Sequence, residues 1–251
     1  MSRKASHNKP GGGGAAWPSA KGGLVWIYGK HSALAAIANS AREIARIAAT
    51  RNTAAELGLP KNTEIMDDAR IAALVGKDAV HQGVAVQASA LPEKDLHEAE
   101  LGNLVILLDQ VTDPHNVGAI LRSASAFGAN AVVTTERNSP AQTGVLAKAA
   151  SGALEYVDYI RTGNLAEAIT YLKKQGFWIA GMEGESDNSI EEIKAYEKLA
   201  IVMGAEGQGL RHKTREYCDF LVKIPMAERQ ESLNVSNAAA IALWEASKRK
   251  V

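Results

Sequence analysis

Cys218 is the only cysteine in the 251 residues, which excludes an internal disulfide and any zinc site built from several thiolates. It follows a predicted helix over 211–217 and reads as a small packing residue. No apolar run reaches the ~18 residues needed to cross a bilayer. The basic start, Met1 to Lys9, runs into glycines instead of an apolar segment, so it does not read as a signal peptide. A reducing, cytoplasmic setting with no membrane partner is the expectation. No excess of either charge is present: 28 Lys and Arg balance 28 Asp and Glu. A general phosphate-binding surface normally carries surplus Lys and Arg. The distribution softens that objection, because Arg3, Lys4, Lys9 and Lys21 stand together without an acid among them and the chain ends Lys248-Arg249-Lys250-Val251. His115 and the other histidines form no His-Glu-x-x-His or comparable ligand spacing, so no metal is expected.

What is present is an ordinary globular apolar fraction of 46%, enough for at least one sizeable core in one large or two modest domains. Residues 1–23, with Gly11-Gly12-Gly13-Gly14, have too little apolar surface to offset their ordering entropy and read as a disordered basic tail. Residues 24–90 form a small α/β pattern, with helices predicted over 33–38 and 68–75 and strands over 43–49 and 83–87. Residues 91–102 hold a proline and many charges (Glu93, Lys94, Asp95, Glu98, Glu100), which suits an exposed linker. From 103 onward a longer alternation begins. Strands are predicted over 104–108, 131–133, 156–160, 178–180, 199–203 and 220–224, and helices over 117–127, 144–150, 165–174 and 238–248. Strands buried on both faces and separated by helices imply a mostly parallel sheet.

Three segments place glycines and polar side chains just after a buried strand, where open α/β sheets bind ligands. The first, Asp109-Gln110-Val111-Thr112-Asp113-Pro114-His115-Asn116-Val117-Gly118, leads into a helix bearing Arg122. Asn116 there reads equally as a helix N-cap and Arg122 as a surface cation. The second, Val202-Met203-Gly204-Ala205-Glu206-Gly207-Gln208-Gly209-Leu210, permits tight backbone turns. It is not a P-loop, lacking Gly-Lys-Ser/Thr, and does not match the dinucleotide fingerprint. The third runs from Ile224-Pro225-Met226 to Gln230-Glu231-Ser232-Leu233-Asn234-Val235-Ser236-Asn237. It is more polar than one helix cap requires, although Ser236 or Asn237 could simply cap the closing helix.

Taken in order, the stretch from Asn116 to Arg122, Met203-Gly204-Ala205-Glu206-Gly207 and Ser232-Leu233-Asn234-Val235-Ser236 resemble the three motifs of the SpoU (TrmH-like) RNA 2′-O-methyltransferases of the SPOUT superfamily. The likeness runs from about Leu104 to the C-terminus. It implies a parallel sheet ending in a deep trefoil knot, whose loops hold S-adenosylmethionine. By position, Gly204, Ile224, Met226 and Leu233 would form that pocket, and Asn116, Arg122, Glu206, Ser232 and Asn234 the catalytic set. It also implies a homodimer with the active site at the subunit interface. A guanidinium, with a pKa above ~12, is a poor base. The resemblance therefore suggests that Arg122 holds a phosphate or stabilises the alkoxide, while the other four orient Arg122, the loop and the ribose.

Tyr28-Gly29-Lys30-His31-Ser32-Ala33 and His81-Gln82-Gly83-Val84-Ala85 resemble the L30e/L7Ae-like RNA-binding domain of relatives that methylate a guanosine of large-subunit ribosomal RNA. That favours rRNA over tRNA as the partner, since the tRNA-directed relatives generally lack this domain. Two other readings remain in view: a non-catalytic RNA-binding protein on the same fold, and a nucleotide-dependent oxidoreductase. The full catalytic set speaks against the first and the missing fingerprint against the second.

Overall fold

Strand β5 (Leu104–Leu108) has all five residues buried and shows why its sequence is apolar without alternation. Leu104, Ile106 and Leu108 point into one hydrophobic cluster, while Val105 and Leu107 point into another on the opposite face. A strand covered by helices on both sides needs apolar residues at every position. The computed structural model describes residues 23–137, 139–227, 229 and 232–248. The expected N-terminal tail, apart from its last residue, and the final three residues lie outside that range.

β5 sits inside a six-stranded, wholly parallel sheet with β6 (Ala131–Thr135), β7 (Asp158–Thr162), β8 (Trp178–Met182), β9 (Leu199–Met203) and β10 (Phe220–Val222). The order is β10-β8-β9-β5-β6-β7. Helices α4 (Pro114–Ala126), α5 (Gly144–Ala150) and α8 (Val235–Ser247) cover one face. Helix α6 (Leu165–Lys174) covers the other, its Leu165, Ala168, Ile169 and Leu172 being the buried stripe of an amphipathic helix.

The N-terminal part forms its own four-stranded sheet from β1 (Leu24–Tyr28), β2 (Ile44–Ala49), β3 (Glu64–Ile65) and β4 (Val84–Ser89), ordered β1-β4-β2-β3. Helices α1 (Lys30–Ala38), α2 (Arg51–Leu57) and α3 (Asp68–Val75) accompany it. Its Ile27, Ile47, Val84 and Val86 belong to the same buried cluster as α4 and α5. The seam is polar as well: Ser32 Oγ donates to the Ala147 carbonyl at 2.9 Å. Arg42 Nε donates to both oxygens of Glu155 at 3.0 and 2.8 Å, with both side chains 2% exposed. Breaking such a buried pair leaves an uncompensated charge and costs about 3–5 kcal/mol.

Several sequence expectations shift. The connection over 91–102 carries no helix or strand but is not simply exposed, because Leu96 and Leu101 are buried against α6 and the sheet. Its composition hid this, since Leu91, Leu96 and Leu101, five residues apart among many charges, match neither a helical nor a strand period. Helix α4 begins at Pro114 instead of 117, with Asp113 as N-cap, so Asn116 is not the cap but lies in the first turn. Helix α8 begins at Val235 instead of 238, capped by Asn234; Ser236 and Asn237 are inside it.

Candidate active site

Strands β5 and β9 are neighbours in register, Leu108 beside Met203, so the segments leaving them share one end of the sheet. The Asp109 N–H donates to the Met203 carbonyl at 2.8 Å. The Asp109 carboxylate is fully buried, and a buried carboxylate persists only when paired. Its partner is Arg211: Nε donates to Oδ1 at 2.6 Å and the backbone N–H to Oδ2 at 3.1 Å. The loop from Gly204 to Leu210 is thereby held at both ends.

Inside that loop Ala205 and Gly209 exchange backbone hydrogen bonds of 3.1 and 2.9 Å, closing a small hairpin. Gly207 and Gly209 have φ of 77° and 65°, the left-handed region that glycine enters without cost. A Cβ on Gly204 would collide with the Gly209 backbone. The glycine spacing is thus a requirement of the turn, and the turn presents Glu206 at its exposed tip.

The third segment reaches the same place. Asn234 caps α8 through Oδ1, which accepts from the Ser236 N–H at 2.9 Å and from Ser236 Oγ at 2.6 Å. Its Nδ2 donates to Asn116 Oδ1 at 3.1 Å and to Glu206 Oε2 at 3.4 Å. One amide therefore ties together side chains from three separate strand-end segments.

Beside this junction lies a cleft of about 500 Å³. Gly204, Ile224, Met226 and Leu233 all line it, as do Glu206 and Ser232. Neither Asn116 nor Asn234 is in its wall; they are tied to it by the hydrogen bond from Asn234 to Glu206. Arg122 stands apart: it is exposed on α4, six residues beyond Asn116, which is about 9 Å along a helix axis. The chain's own fold brings four of the five expected catalytic residues together and leaves Arg122 outside.

Sequence reasoning overlooked the wall formed by Met182, Glu183 and Glu185 at the end of β8. The signal was present, as Glu183-Gly184-Glu185 follows a buried strand just as the other segments do. Glu183 faces Arg215 at 3.7 Å. It also overlooked Asp109 and Arg211. Cys218, next to Gly181 at this end of the sheet, donates weakly to the Thr214 carbonyl, and burial pushes its thiol pKa up to about 12. Among the described residues no cluster of His, Cys, Asp and Glu is placed to hold a metal ion, and no helix is long and apolar enough to cross a membrane.

Known proteins resemble this chain in sequence and in fold. A 23S rRNA (guanosine-2′-O-)-methyltransferase of Vibrio vulnificus is 45% identical over 181 residues, 69% of this chain and 72% of that one. The protein of the same name from Photobacterium profundum is 37% identical over 240 residues, covering 89% and 97%. The crystal structure of the SpoU methyltransferase AviRb from Streptomyces viridochromogenes, in complex with AdoMet, superposes with a TM-score of 0.75 over 90% of each chain at 23% identity. The profile of the SpoU rRNA Methylase family matches residues 103–244. The chain is a member of the SpoU rRNA methylase family.

Proposed function

We propose that this protein is an S-adenosylmethionine-dependent RNA ribose 2′-O-methyltransferase acting on a guanosine of 23S rRNA. The observation that carries the reading is the Asn234 amide joining Asn116 and Glu206 beside the 500 Å³ cleft. Support for the substrate comes from the relatives of Vibrio and Photobacterium, whose names specify that reaction.

The cleft suits the cofactor. It combines apolar walls from Ile224, Met226 and Leu233 with a backbone hairpin that a side chain at 204 would block. Its charged lining, Glu183, Glu185 and Glu206 against Arg215 and Lys223, is acidic by one charge, in keeping with a cationic sulfonium. When bound, S-adenosylmethionine supplies the methyl group on that sulfonium. The chain's residues have to align a ribose hydroxyl in line with it and exclude water. Glu206, Ser232 and Asn234 orient the ribose and the loop, and Asn116 fixes the Asn234 amide. The Arg122 guanidinium stabilises the attacking ribose oxygen, or grips the neighbouring phosphate.

Arg122 is exposed and outside the cleft of its own chain, which favours a homodimer whose active site lies at the subunit interface. The sheet order favours a deep trefoil knot: the chain leaves β9, passes β8 to reach β10 at the edge, and returns to lay α8 on α4. Residues 24–90 are read as an L30e-like RNA-binding domain, 91–102 as a linker and 103–251 as the methyltransferase domain, in a cytoplasmic enzyme.

Mapping ribose methylation across rRNA and tRNA in a strain lacking the gene tests the reading. One mark missing from large-subunit rRNA is expected. A loss confined to tRNA would replace the substrate, and no loss in any RNA would remove the activity.

A further inference from the structure

A second cleft, of about 290 Å³, shares no lining residue with the cofactor site and lies between the loop after α1, the 91–102 connection and strand β7. Three parts of the chain line it: Asn39 after α1, Pro92 and Lys94 in the connection, and Gln142 and Tyr156 beside the edge of the large sheet. Two features are unusual. The Oε1 of Gln142 is the one buried side-chain polar atom without a hydrogen-bond partner among the described residues. Such an atom costs free energy unless something else supplies a donor. Tyr156 is 71% exposed, more than any other large apolar or aromatic side chain described.

The charged groups of this cleft are already neutralised. Glu155 is taken by Arg42 and by Asn39 Nδ2, the latter at 2.7 Å. Asp158 is taken by Lys94 at 2.6 Å. What remains is one exposed aromatic ring and one unpaired acceptor in the cleft wall, which a turn of the half-buried Gln142 side chain brings to the cleft; neither calls for an anion or a cation. Together they fit a flat, neutral group with an N–H on its edge, the description of a nucleobase. The backbone that carries the ring is held: the Tyr156 N–H donates to the Ala153 carbonyl at 3.1 Å, and the preceding residue is locked in the buried Arg42 pair. Single-stranded RNA is bound by splaying bases onto such side chains.

We propose that this cleft holds an unpaired base of the RNA substrate, stacked on Tyr156 and donating an N–H to Gln142 Oε1. The inference rests on the reading of RNA as the substrate. It makes the seam between the two parts of the chain a second point of contact with the RNA, set apart from the methylated nucleotide.

The test uses the full-length protein with large-subunit rRNA isolated from a strain lacking the gene. Methyl transfer and, without cofactor, retention of that RNA on filters are both measured. Tyr156→Ala is expected to raise KM for RNA and weaken retention roughly tenfold, the size of one lost stacked base, with KM for S-adenosylmethionine and kcat unchanged. Tyr156→Phe, which keeps the ring, restores both. Gln142→Met, similar in shape but without the carbonyl, weakens retention several-fold and guards against a folding effect. If Tyr156→Ala and Gln142→Met both retain RNA within twofold of the unaltered protein, the cleft holds no base. Retention that depends on Tyr156 without any methyl transfer would leave the cleft standing and remove the enzymatic reading instead.

Discussion

Asp109 and Arg211 lie 102 residues apart, and their ion pair joins the end of β5 to the end of the glycine loop that follows β9. The carboxylate is wholly buried, whereas the Arg211 side chain is 48% exposed. Arg211→Ala leaves a buried anion with no counter-charge. The expected loss is about 3 kcal/mol, the lower end for a broken buried pair because water reaches one partner. Denaturant titration measures it, and the same variant should bind S-adenosylmethionine more weakly because the loop loses its anchor. An unchanged unfolding midpoint would mean that the pair holds nothing.

Asn234 performs two separable tasks, capping α8 with its oxygen and joining Asn116 to Glu206 with its nitrogen. Asn234→Asp keeps the cap, since Asp is an equally good N-cap, and removes the N–H donors. The new carboxylate also faces Glu206 and the Asn116 carbonyl, so some stability is lost through repulsion although the cap is kept, while kcat falls about 100-fold, the usual cost of a misplaced reacting group. Asn234→Ala should add a thermal loss of about 1 kcal/mol. Full activity in the Asp variant would confine Asn234 to its structural task.

Gly204→Ala sets a methyl group against the Gly209 backbone. Strain of about 1–3 kcal/mol is expected from such overpacking. Its effect should be concentrated in cofactor binding, weakened roughly tenfold by calorimetry, because β9 stays within its ladder. Unweakened binding would show that the hairpin is not part of the pocket.

Cys218 should resist alkylation. Burial raises its pKa from 9.0 to about 12, so the thiol is neutral in the fold at pH 8. Iodoacetamide followed by mass spectrometry should label it only after denaturation. The raised value also means that its neutral form favours the fold below about pH 9 and that this preference fades as pH climbs toward 12. Rapid labelling of the native protein would contradict a raised thiol pKa at this half-buried position.

The parts of the fold legible in the sequence were those written in one continuous stretch. β9, α3, α5 and α6 end where their apolar patterns end, and Asp67, Thr143 and Asn164 cap the three helices as short polar residues do. β1 and α2 went unseen. α2 has the sequence Arg-Asn-Thr-Ala-Ala-Glu-Leu, and its ends are marked by Thr50 and by Gly58 in the left-handed region, not by an apolar stripe. The three loops of the candidate site were readable because each is local. The Asp109 to Arg211 pair was not, because it exists only once the sheet order sets β5 beside β9. Nor was the distance of Arg122 from the cleft, since helical spacing tells which face a residue is on and not what that face meets.

The Arg42 to Glu155 pair spans 113 residues, and that separation bears on how the protein is made. At about 5–20 residues per second, the ribosome delivers Glu155 some ten seconds after Arg42. The small sheet can form early, with the Arg42 guanidinium donating to the Ser89 carbonyl, but that cation has no counter-charge until residues 153–155 emerge. The seam, and with it the turn that presents Tyr156, is therefore a late product of synthesis. A chain stalled before residue 155 would expose both the cation and the apolar surface around it to chaperones and proteases.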